Sequence, residues 1–272
     1  MIIPVVRRPA VAGYYYPADA LRLKAAVDAL TVVRAHPGSG LAVIVPHGSF
    51  TQCGRILGST LSQVAIPRRC IILGPSHTGS WMRWSMMVGG AYRTPLGDVP
   101  IDESCAMMLR ERCPFLEPDA WTQRGEHAVE VVLPFLQRLG PADLTVVPII
   151  MGAEDPSEET RLAHALEQVV RMQEEAVLLI ASSDLSHYAP REHVDACDAA
   201  LIDAICELDA VRLAEHVERH AVVMCGDGAV RCVLSAAKAL GAAHGRLVQY
   251  GTSADTGGDP HSAIGYAGIV IR

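Results

Sequence analysis

Three histidines follow apolar, strand-like segments of the sequence and could together hold a metal or move a proton. His47 and His77 each come after an apolar run closed by a proline, and His187 comes after the apolar residues 176–181. In open α/β sheets, ligands bind beyond the carboxyl ends of the strands. Neutral imidazole is the commonest protein ligand for metals and suits iron, copper or zinc. The strand-end histidines therefore indicate a site for metal chemistry or proton transfer.

Cys225 is a third candidate metal ligand, beside His47 and His77. It precedes Gly226-Asp-Gly228 and lies near the start of a predicted helix, where a thiol pKa is lowered and thiolate becomes more available. A thiolate beside two imidazoles leaves open positions, as a catalytic metal requires. The alternative is a buried structural cysteine, because the chain contains eight cysteines.

Two polar segments supply candidate catalytic residues. In residues 182–187, Asp184 could orient a histidine and His187 could act as a general acid or base. The alternatives are a helix cap at Asp184 and a surface position for His187. Glu126 and His127 open a predicted helix, and Glu126 could either complete a two-His-one-carboxylate metal site or interact with the helix dipole.

The other histidines are interpreted as structural or solvated, since they lie in predicted helices or polar turns. They include His164, His193, His216 and His244.

The elements that position these residues alternate between helix and strand. This pattern predicts an α/β fold in one domain, residues 1–272, with a mainly parallel or mixed central sheet and helices on both faces. Asp19 and Asp102 are predicted helix caps, and Pro134 is predicted to kink a helix over residues 125–139. Pro148 indicates an edge or a bulge in the strand over residues 144–151. Residues 81–92 are predicted to form an irregular strand and turn, antiparallel to the sheet.

Composition excludes several classes of function. The net charge of −7, without a basic block, argues against a nucleic-acid partner. No apolar run approaches the roughly 20 residues that span a bilayer, and no secretory signal is recognisable. We therefore expect a cytoplasmic protein without a membrane partner, whose cysteines are mostly reduced. The oligomeric state stays open. Phosphate-loop, dinucleotide and serine-elbow motifs are absent from the sequence.

The chain resembles the Memo family, whose bacterial and archaeal members are termed AmmeMemoRadiSam system protein B. The resemblance runs nearly end to end and rests on an ordered set of segments. They are Arg8-Pro-Ala-Val-Ala-Gly-Tyr-Tyr-Tyr-Pro17, Val45-Pro-His-Gly48, Leu73-Gly-Pro-Ser-His77, Glu126-His127, Leu133-Pro-Phe135, Ser182-Ser-Asp-Leu-Ser-His-Tyr188, Cys225-Gly226 and Tyr250-Gly-Thr-Ser253.

The resemblance implies a fold similar to that of LigB-type class III extradiol dioxygenases, which hold non-haem Fe(II) with two histidines and a carboxylate. Carried onto this sequence, it implies His47, His77 and Cys225 as metal ligands, with iron as the metal and copper or zinc as alternatives. It also implies His187 as the acid/base residue. Glu126, His127 and Asp184 would line the same pocket.

The sequence departs from the family pattern at three positions near these motifs. Phe50 and Gln52 stand where tyrosines are usual, and Ala128 stands where a serine is common. A changed pocket wall, and with it a changed choice of substrate, is therefore expected.

Three functions are compatible with these residues. The first is a metal-dependent redox or dioxygenase-like protein with a two-His-one-Cys site. The second is a non-catalytic protein that retains the pocket and binds a metal, a small molecule or a peptide there. The third is a metal-free cysteine hydrolase with Cys225 as nucleophile and His187 as base.

Overall fold

The structure is a computed structural model that describes residues 5–32, 37–79, 84–152, 155–220 and 222–272. Its central layer is a mixed sheet. Within these ranges the strands are β1 (Val6–Arg7), β2 (Ala42–Val45), β3 (Arg69–Pro75), β4 (Ser85–Met86), β5 (Ala91–Thr94), β6 (Gly97–Pro100), β7 (Thr145–Met151), β8 (Val177–Ser182), β9 (His187–Ala189), β10 (Gly245–Thr252) and β11 (Ala263–Ile271). The helices are α1 (Ala20–Leu30), α2 (Gly54–Leu61), α3 (Glu103–Arg112), α4 (Leu133–Leu139), α5 (Pro156–Arg171), α6 (Arg191–Cys206), α7 (Ala210–Arg219) and α8 (Asp227–Ala239).

The main sheet has the strand order β10-β11-β2-β8-β3-β7-β4, and β9 pairs with β11. Strands β2, β8, β3 and β7 are parallel to one another. The flanking strands β11 and β4 are antiparallel to this central group. A second sheet has the order β1-β5-β6. The predicted α/β class with a mixed sheet is confirmed, whereas the domain bounds 1–272 stay a prediction.

Helices cover both faces of the main sheet, as predicted. On β11, a side chain at Gly265 would meet Asp198 of α6, and one at Gly268 would meet Thr60 of α2. These two glycines are three residues apart, so they face opposite sides of the sheet. Helices α1, α2 and α4 pack together, and α3, α5, α8, α7 and α6 form the other contiguous set.

The register of the central strands brings the predicted site residues to one edge. Val45 of β2 lies opposite Ser182 of β8, so His47 and Asp184 each follow two residues beyond that pair. Strand β3 lies on the other side of β8 and leads to His77. Because the carboxyl ends of parallel strands share an edge, these three segments leave the sheet side by side.

The prediction of a helix over residues 125–139 is wrong for the first half of that range. Residues 126–129 are not helical, a short 3₁₀ turn covers Glu130–Val132, and α4 begins only at Leu133. Pro134 therefore lies in the first turn of α4, where a missing backbone N–H is tolerated, and it does not kink a longer helix. The loop that results carries Glu126 and His127.

Most other local predictions are confirmed. Asp19 and Asp102 cap α1 and α3, each accepting a hydrogen bond from a backbone N–H of the first turn. The prediction of an edge or a bulge at Pro148 is not confirmed, because β7 lies between β3 and the edge strand β4 and its register with β3 is unbroken. The pairing with β4 covers only Ile149 and Ile150, the two residues after Pro148. Strand β4 is the predicted antiparallel addition, although residues 81–83 of that prediction lie outside the described residues.

All eight cysteines are free. Among the described helices, none is both long and apolar enough to cross a bilayer. The cytoplasmic location stays a prediction.

Candidate metal centre

His47 is buried at the end of β2 and is held by residues that follow β8. Its backbone N–H donates to Asp184 Oδ1 at 2.9 Å, and its ring Nδ1 lies 2.9 Å from Ser182 Oγ. The hydroxyl of Ser182 donates its own proton to the carbonyl of Ala128 at 2.6 Å. Ser182 Oγ must therefore accept from His47 Nδ1–H, which leaves His47 Nε2 with a free lone pair.

The free nitrogen of His47 faces Cys225. Cys225 Sγ lies 3.3 Å from His47 Nε2, and Asp184 Oδ2 lies 4.0 Å from the same nitrogen. The backbone N–H of Asp184 donates to Cys225 Sγ at 3.3 Å. Burial lowers the pKa of His47 to about 4 and raises the pKa of the Cys225 thiol well above its usual range. Both groups are therefore neutral in the metal-free protein, and a bound cation would displace the thiol proton.

His77 is positioned by the buried carboxylate of Glu126. That carboxylate accepts from the backbone N–H of His77 and from its ring Nδ1, the latter at 2.8 Å. It also accepts from the backbone N–H groups of His127 at 2.7 Å and Ala128 at 2.9 Å. Burial acts to raise the pKa of Glu126, but the hydrogen bonds and charge of His77 outweigh it and lower that pKa to about 2.

The same carboxylate raises the pKa of His77. Burial alone would lower that pKa, and the hydrogen bond and negative charge of Glu126 reverse the direction. Because Nδ1 of His77 donates to Glu126, Nε2 is the nitrogen left for a ligand. The His77 side chain is 33% exposed, so solvent reaches the site on this side.

His127 completes a group of three imidazoles. Its ring stacks on that of His77 with centroids 4.5 Å apart, and its centroid lies 5.6 Å from that of His47. Burial, and then the charge of His77, lower the pKa of His127. Tyr15, which the sequence did not single out for the site, packs edge-on against His127 at 4.8 Å.

Within the described residues, two sets of three donors lie close enough to share a metal ion. One set is His47, His77 and His127, and the other is His47, Asp184 and Cys225; in each, the donor atoms all lie within 4.8 Å of one another. The three predicted ligands are thus divided between two sets that share His47. Imidazoles whose Nδ1 is already hydrogen-bonded, as in His47 and His77, next to a buried thiol, are donors that fit a transition metal.

His187 belongs to neither of these two sets of described donors. Its Nδ1 lies 2.7 Å from the carbonyl oxygen of Leu185 and 2.8 Å from that of Val223. Carbonyl oxygens only accept, so Nδ1 carries the proton and Nε2 is free to accept one. This tautomer suits a general base, and the assignment of that role to His187 stays a prediction.

Arg7 is a buried residue of this region that sequence reasoning missed. Its guanidinium donates to the carbonyl oxygens of Gln123, at 2.9 Å, and Glu126, and it pairs with the carboxylate of Glu130. Both side chains of the Arg7–Glu130 pair are fully buried. Arg7 therefore fastens the amino-terminal arm to the loop that carries Glu126 and His127. No pattern in the sequence indicates the pairing of Arg7 with Glu130, because the two residues lie 123 positions apart.

Two departures from the family pattern have clear positions in the structure. The ring of Phe50 packs against Phe135 at 4.8 Å and Tyr16 at 5.5 Å, within the hydrophobic core. Gln52 is exposed and accepts from the hydroxyl of Ser49 at 3.1 Å. Phe50 therefore packs into the core.

A family described as Memo-like protein matches residues 7–270 of the sequence. The chain belongs to the Memo family. A MEMO1 family protein of Methanopyrus kandleri is 35% identical over 279 residues, which cover 98% of this chain and 99% of the relative. A MEMO1 family protein of Aquifex aeolicus is 34% identical, covering 98% of this chain and 99% of the relative. The predicted membership of the Memo family is confirmed.

The fold of this Memo protein also occurs in a solved structure. The crystal structure of an uncharacterized protein from Escherichia coli K12 superposes with a TM-score of 0.55 and covers 85% of this chain and 99% of that chain. The two sequences are 14% identical. This likeness establishes a shared fold. The chemistry of the site must be inferred from the residues of this chain.

Proposed function

We propose that this Memo family protein is a mononuclear metal protein of the non-haem redox type, with His47, His77 and Cys225 as ligands. The observation that carries the proposal is the 3.3 Å approach of His47 Nε2 to Cys225 Sγ. Ser182 holds the other nitrogen of His47, as residues behind a metal ligand do. His77 stands with its ring centroid 5.1 Å from that of His47.

Iron is the proposed metal, with copper or zinc as alternatives. Two imidazoles and one thiolate form a borderline to soft donor set, which all three metals accept. Bound iron would supply one-electron chemistry and open positions for dioxygen and a small organic substrate. Asp184 and Glu126 orient His47 and His77, and the free Nε2 of His187 accepts or returns a proton. The partly exposed side of His77 is the proposed side of entry.

The alternative is a non-catalytic protein that binds a metal, a small molecule or a peptide at this site. The thiol of Cys225 in the set with His47 and Asp184 favours it, because a thiolate ligand in place of a carboxylate shifts the metal preference toward copper or zinc. Zinc has no redox chemistry. Such a protein would bind its ligand without turning it over.

A metal-free cysteine hydrolase is disfavoured. Burial raises the pKa of Cys225, which is the opposite of what an activated nucleophile needs. The imidazole next to Cys225 Sγ is that of His47. His187, the base of this hypothesis, instead has its Nδ1 hydrogen-bonded to a backbone carbonyl oxygen.

The decisive experiment is metal analysis of protein purified without oxygen and then loaded with Fe(II). We expect one tightly held iron per chain in the wild type and at least a tenfold loss of affinity in His47→Ala and Cys225→Ala. His164→Ala and Cys206→Ser, which change the same residue types on α5 and α6, are matched controls. A wild-type protein that takes up no iron, copper or zinc overturns the proposal.

A screen with catechol-like compounds separates the two metal-dependent functions. Oxygen-dependent product that His187→Ala abolishes supports the enzyme. Tight ligand binding that His187→Ala leaves unchanged, without product, supports the binding protein.

A further inference from the structure

A second group of histidine and cysteine side chains lies on helices α6 and α7, outside the strand-end site. His193 and Cys197 are four residues apart on α6, and His216 and His220 are four residues apart on α7 and at its carboxyl end. Residues at this spacing share one helix face. Two histidines at this spacing on one helix are also the arrangement by which helices bind zinc. No sequence motif joins the two pairs, and His193 and His216 are interpreted from the sequence as structural or solvated.

The fold brings both pairs to one cavity. Helices α6 and α7 pack against each other, and all four side chains line a cavity of about 250 Å³ together with Leu201 and Val222. Cys197 Sγ lies 3.5 Å from His193 Nε2. The rings of His216 and His220 are stacked, with centroids 5.8 Å apart and planes 18° apart.

His216 supplies a second, independent observation. His216 Nδ1 is buried and has no hydrogen-bond partner among the described residues. Buried polar atoms are nearly always paired, and an exception calls for an explanation such as a bound ion. His216 is one of the four histidine and cysteine residues that line the cavity, so a turn of its ring would give the unpaired nitrogen a cation held there as its partner.

We propose that this cavity between α6 and α7 is a second metal site, which takes Zn²⁺ through Cys197, His193, His216 and His220. One sulfur and three nitrogen donors are a ligand set that Zn²⁺ accepts in tetrahedral geometry. Binding converts the Cys197 thiol to a thiolate bound to zinc and releases one proton to solvent. No redox change is involved. The apolar walls from Leu201 and Val222 favour coordination by keeping water out of one side.

The donors must turn toward one another to bind the ion. Within the described residues, the sets of three donors that already lie within 4.8 Å belong to the strand-end site. His193 and His220 are exposed, so their rings rotate at little cost. A nucleophilic role for the Cys197–His193 pair is disfavoured, because burial and the charge of Asp198 raise the pKa of Cys197.

The site would also brace the segment that leads to the strand-end metal centre. Val222 lines the cavity, Val223 accepts from His187, and Cys225 follows two residues later. Zinc between α6 and α7 would therefore fix the start of this segment.

The test uses the full chain carrying His47→Ala and Cys225→Ala, which removes two strand-end donors. We expect this background to bind one Zn²⁺ per chain. Co²⁺, used as the probe, should give the visible absorption of a tetrahedral ion and a thiolate charge-transfer band. Adding Cys197→Ser should abolish the charge-transfer band and weaken Zn²⁺ binding at least tenfold, and His220→Ala should weaken it similarly. Cys206→Ser on the same helix and His164→Ala on α5 should change neither.

The proposal is overturned if the background chain, folded by circular dichroism, binds no Zn²⁺ at micromolar concentration. It is equally overturned if Cys197→Ser and His220→Ala leave binding unchanged. If the background chain does not fold, Cys197→Ser in the otherwise wild-type protein must lower the Zn²⁺ stoichiometry by one. An unchanged stoichiometry then refutes the site, whatever the strand-end centre binds.

Discussion

Glu126 holds His77 at two points, the backbone N–H and the ring Nδ1, the latter at 2.8 Å. The contact with the backbone N–H fixes the position of His77 after β3, and the contact with Nδ1 fixes the tautomer of its ring. Nε2 of His77 is thereby left for a ligand. Glu126 is itself fully buried, so its contribution is to position His77 and to set its charge.

Replacing Glu126 by Gln should weaken Fe(II) binding by about 10- to 100-fold, the usual effect of losing a partner behind a metal ligand. The amide removes the negative charge that raises the pKa of His77. Burial then dominates, and the pKa of His77 should fall below its ordinary value. Iron competition assays measure the first effect, and NMR titration of the His77 ring in metal-free protein measures the second.

The control for this variant is Glu103→Gln, at an exposed position in the first turn of α3. It should change neither quantity. An unchanged pKa of His77 in Glu126→Gln would show that the carboxylate does not govern that ring.

Two variants decide which donor set holds the metal. With Cys197→Ser as background, so that no thiolate contributes from α6, Co²⁺ should give a thiolate charge-transfer band. Cys225→Ser should abolish this band, and His127→Ala should preserve it, if the thiol is a ligand. The converse result, with no thiolate band in this background and Co²⁺ binding weakened by His127→Ala but not by Cys225→Ser, would assign the metal to the three imidazoles.

The strand-end histidines could be predicted because their signal is local. An apolar run followed by a proline and a polar residue marks the end of a buried strand, and parallel strands must share an edge. The convergence of His47 and His77 follows from the fold class alone. Local pattern does not show which of the eight cysteines lies near His47. The resemblance to the Memo family favoured Cys225.

The loop around Glu126 and His127 could not be predicted from local pattern. Residues 128–136 are mostly apolar and suggest a helix that begins earlier than α4 does. The Glu126 carboxylate instead accepts from the N–H groups of His127 and Ala128 and binds His77, 49 residues away in sequence. Such tertiary bonds override helix propensity and leave no periodic trace.

Replacing Arg7 by Met should destabilise the protein by about 3–5 kcal/mol, because it leaves the carboxylate of Glu130 buried without its cation. Glu130 would still accept from the N–H of Ala10 at 2.7 Å and from the hydroxyl of Tyr16. Urea denaturation measures the loss. The double variant Arg7→Met/Glu130→Gln should lose less than the sum of the single variants, and strict additivity would contradict the pairing.

Asp198 should make stability fall as pH rises. Burial raises its pKa above 3.8, against the hydrogen bonds from Ser186 and Tyr250. Below 3.8 the carboxyl is protonated in both the folded and unfolded states. Above that value the unfolded state loses its proton first, so the folded state binds more protons and each rise in pH costs folding free energy. This loss is complete once the folded group has also ionised.

The variant Asp198→Asn removes this titration. The free energy of unfolding of the wild type minus that of the variant should therefore be larger at about pH 4 than at about pH 7. Urea denaturation at the two pH values measures the difference. A difference that grows with pH would mean that the folded protein favours the ionised carboxylate.

Gly58 of α2 should not tolerate a side chain, although alanine is the better helix former by about 1 kcal/mol. A Cβ at this position would lie 2.4 Å from the carbonyl oxygen of Leu30 and 2.9 Å from the ring of Phe135. The clash with a backbone atom can be relieved only by moving α1 away from α2. We expect Gly58→Ala to lower the free energy of unfolding by about 1–3 kcal/mol, as measured by urea denaturation.

Gly54→Ala in the same helix is the matched control, because its Cβ would meet only side-chain atoms. The nearest are Leu30 Cδ1 at 2.8 Å and Phe50 Cβ at 3.3 Å. Equal losses in the two variants would show that side-chain crowding, and not the backbone of Leu30, sets the spacing of α1 and α2.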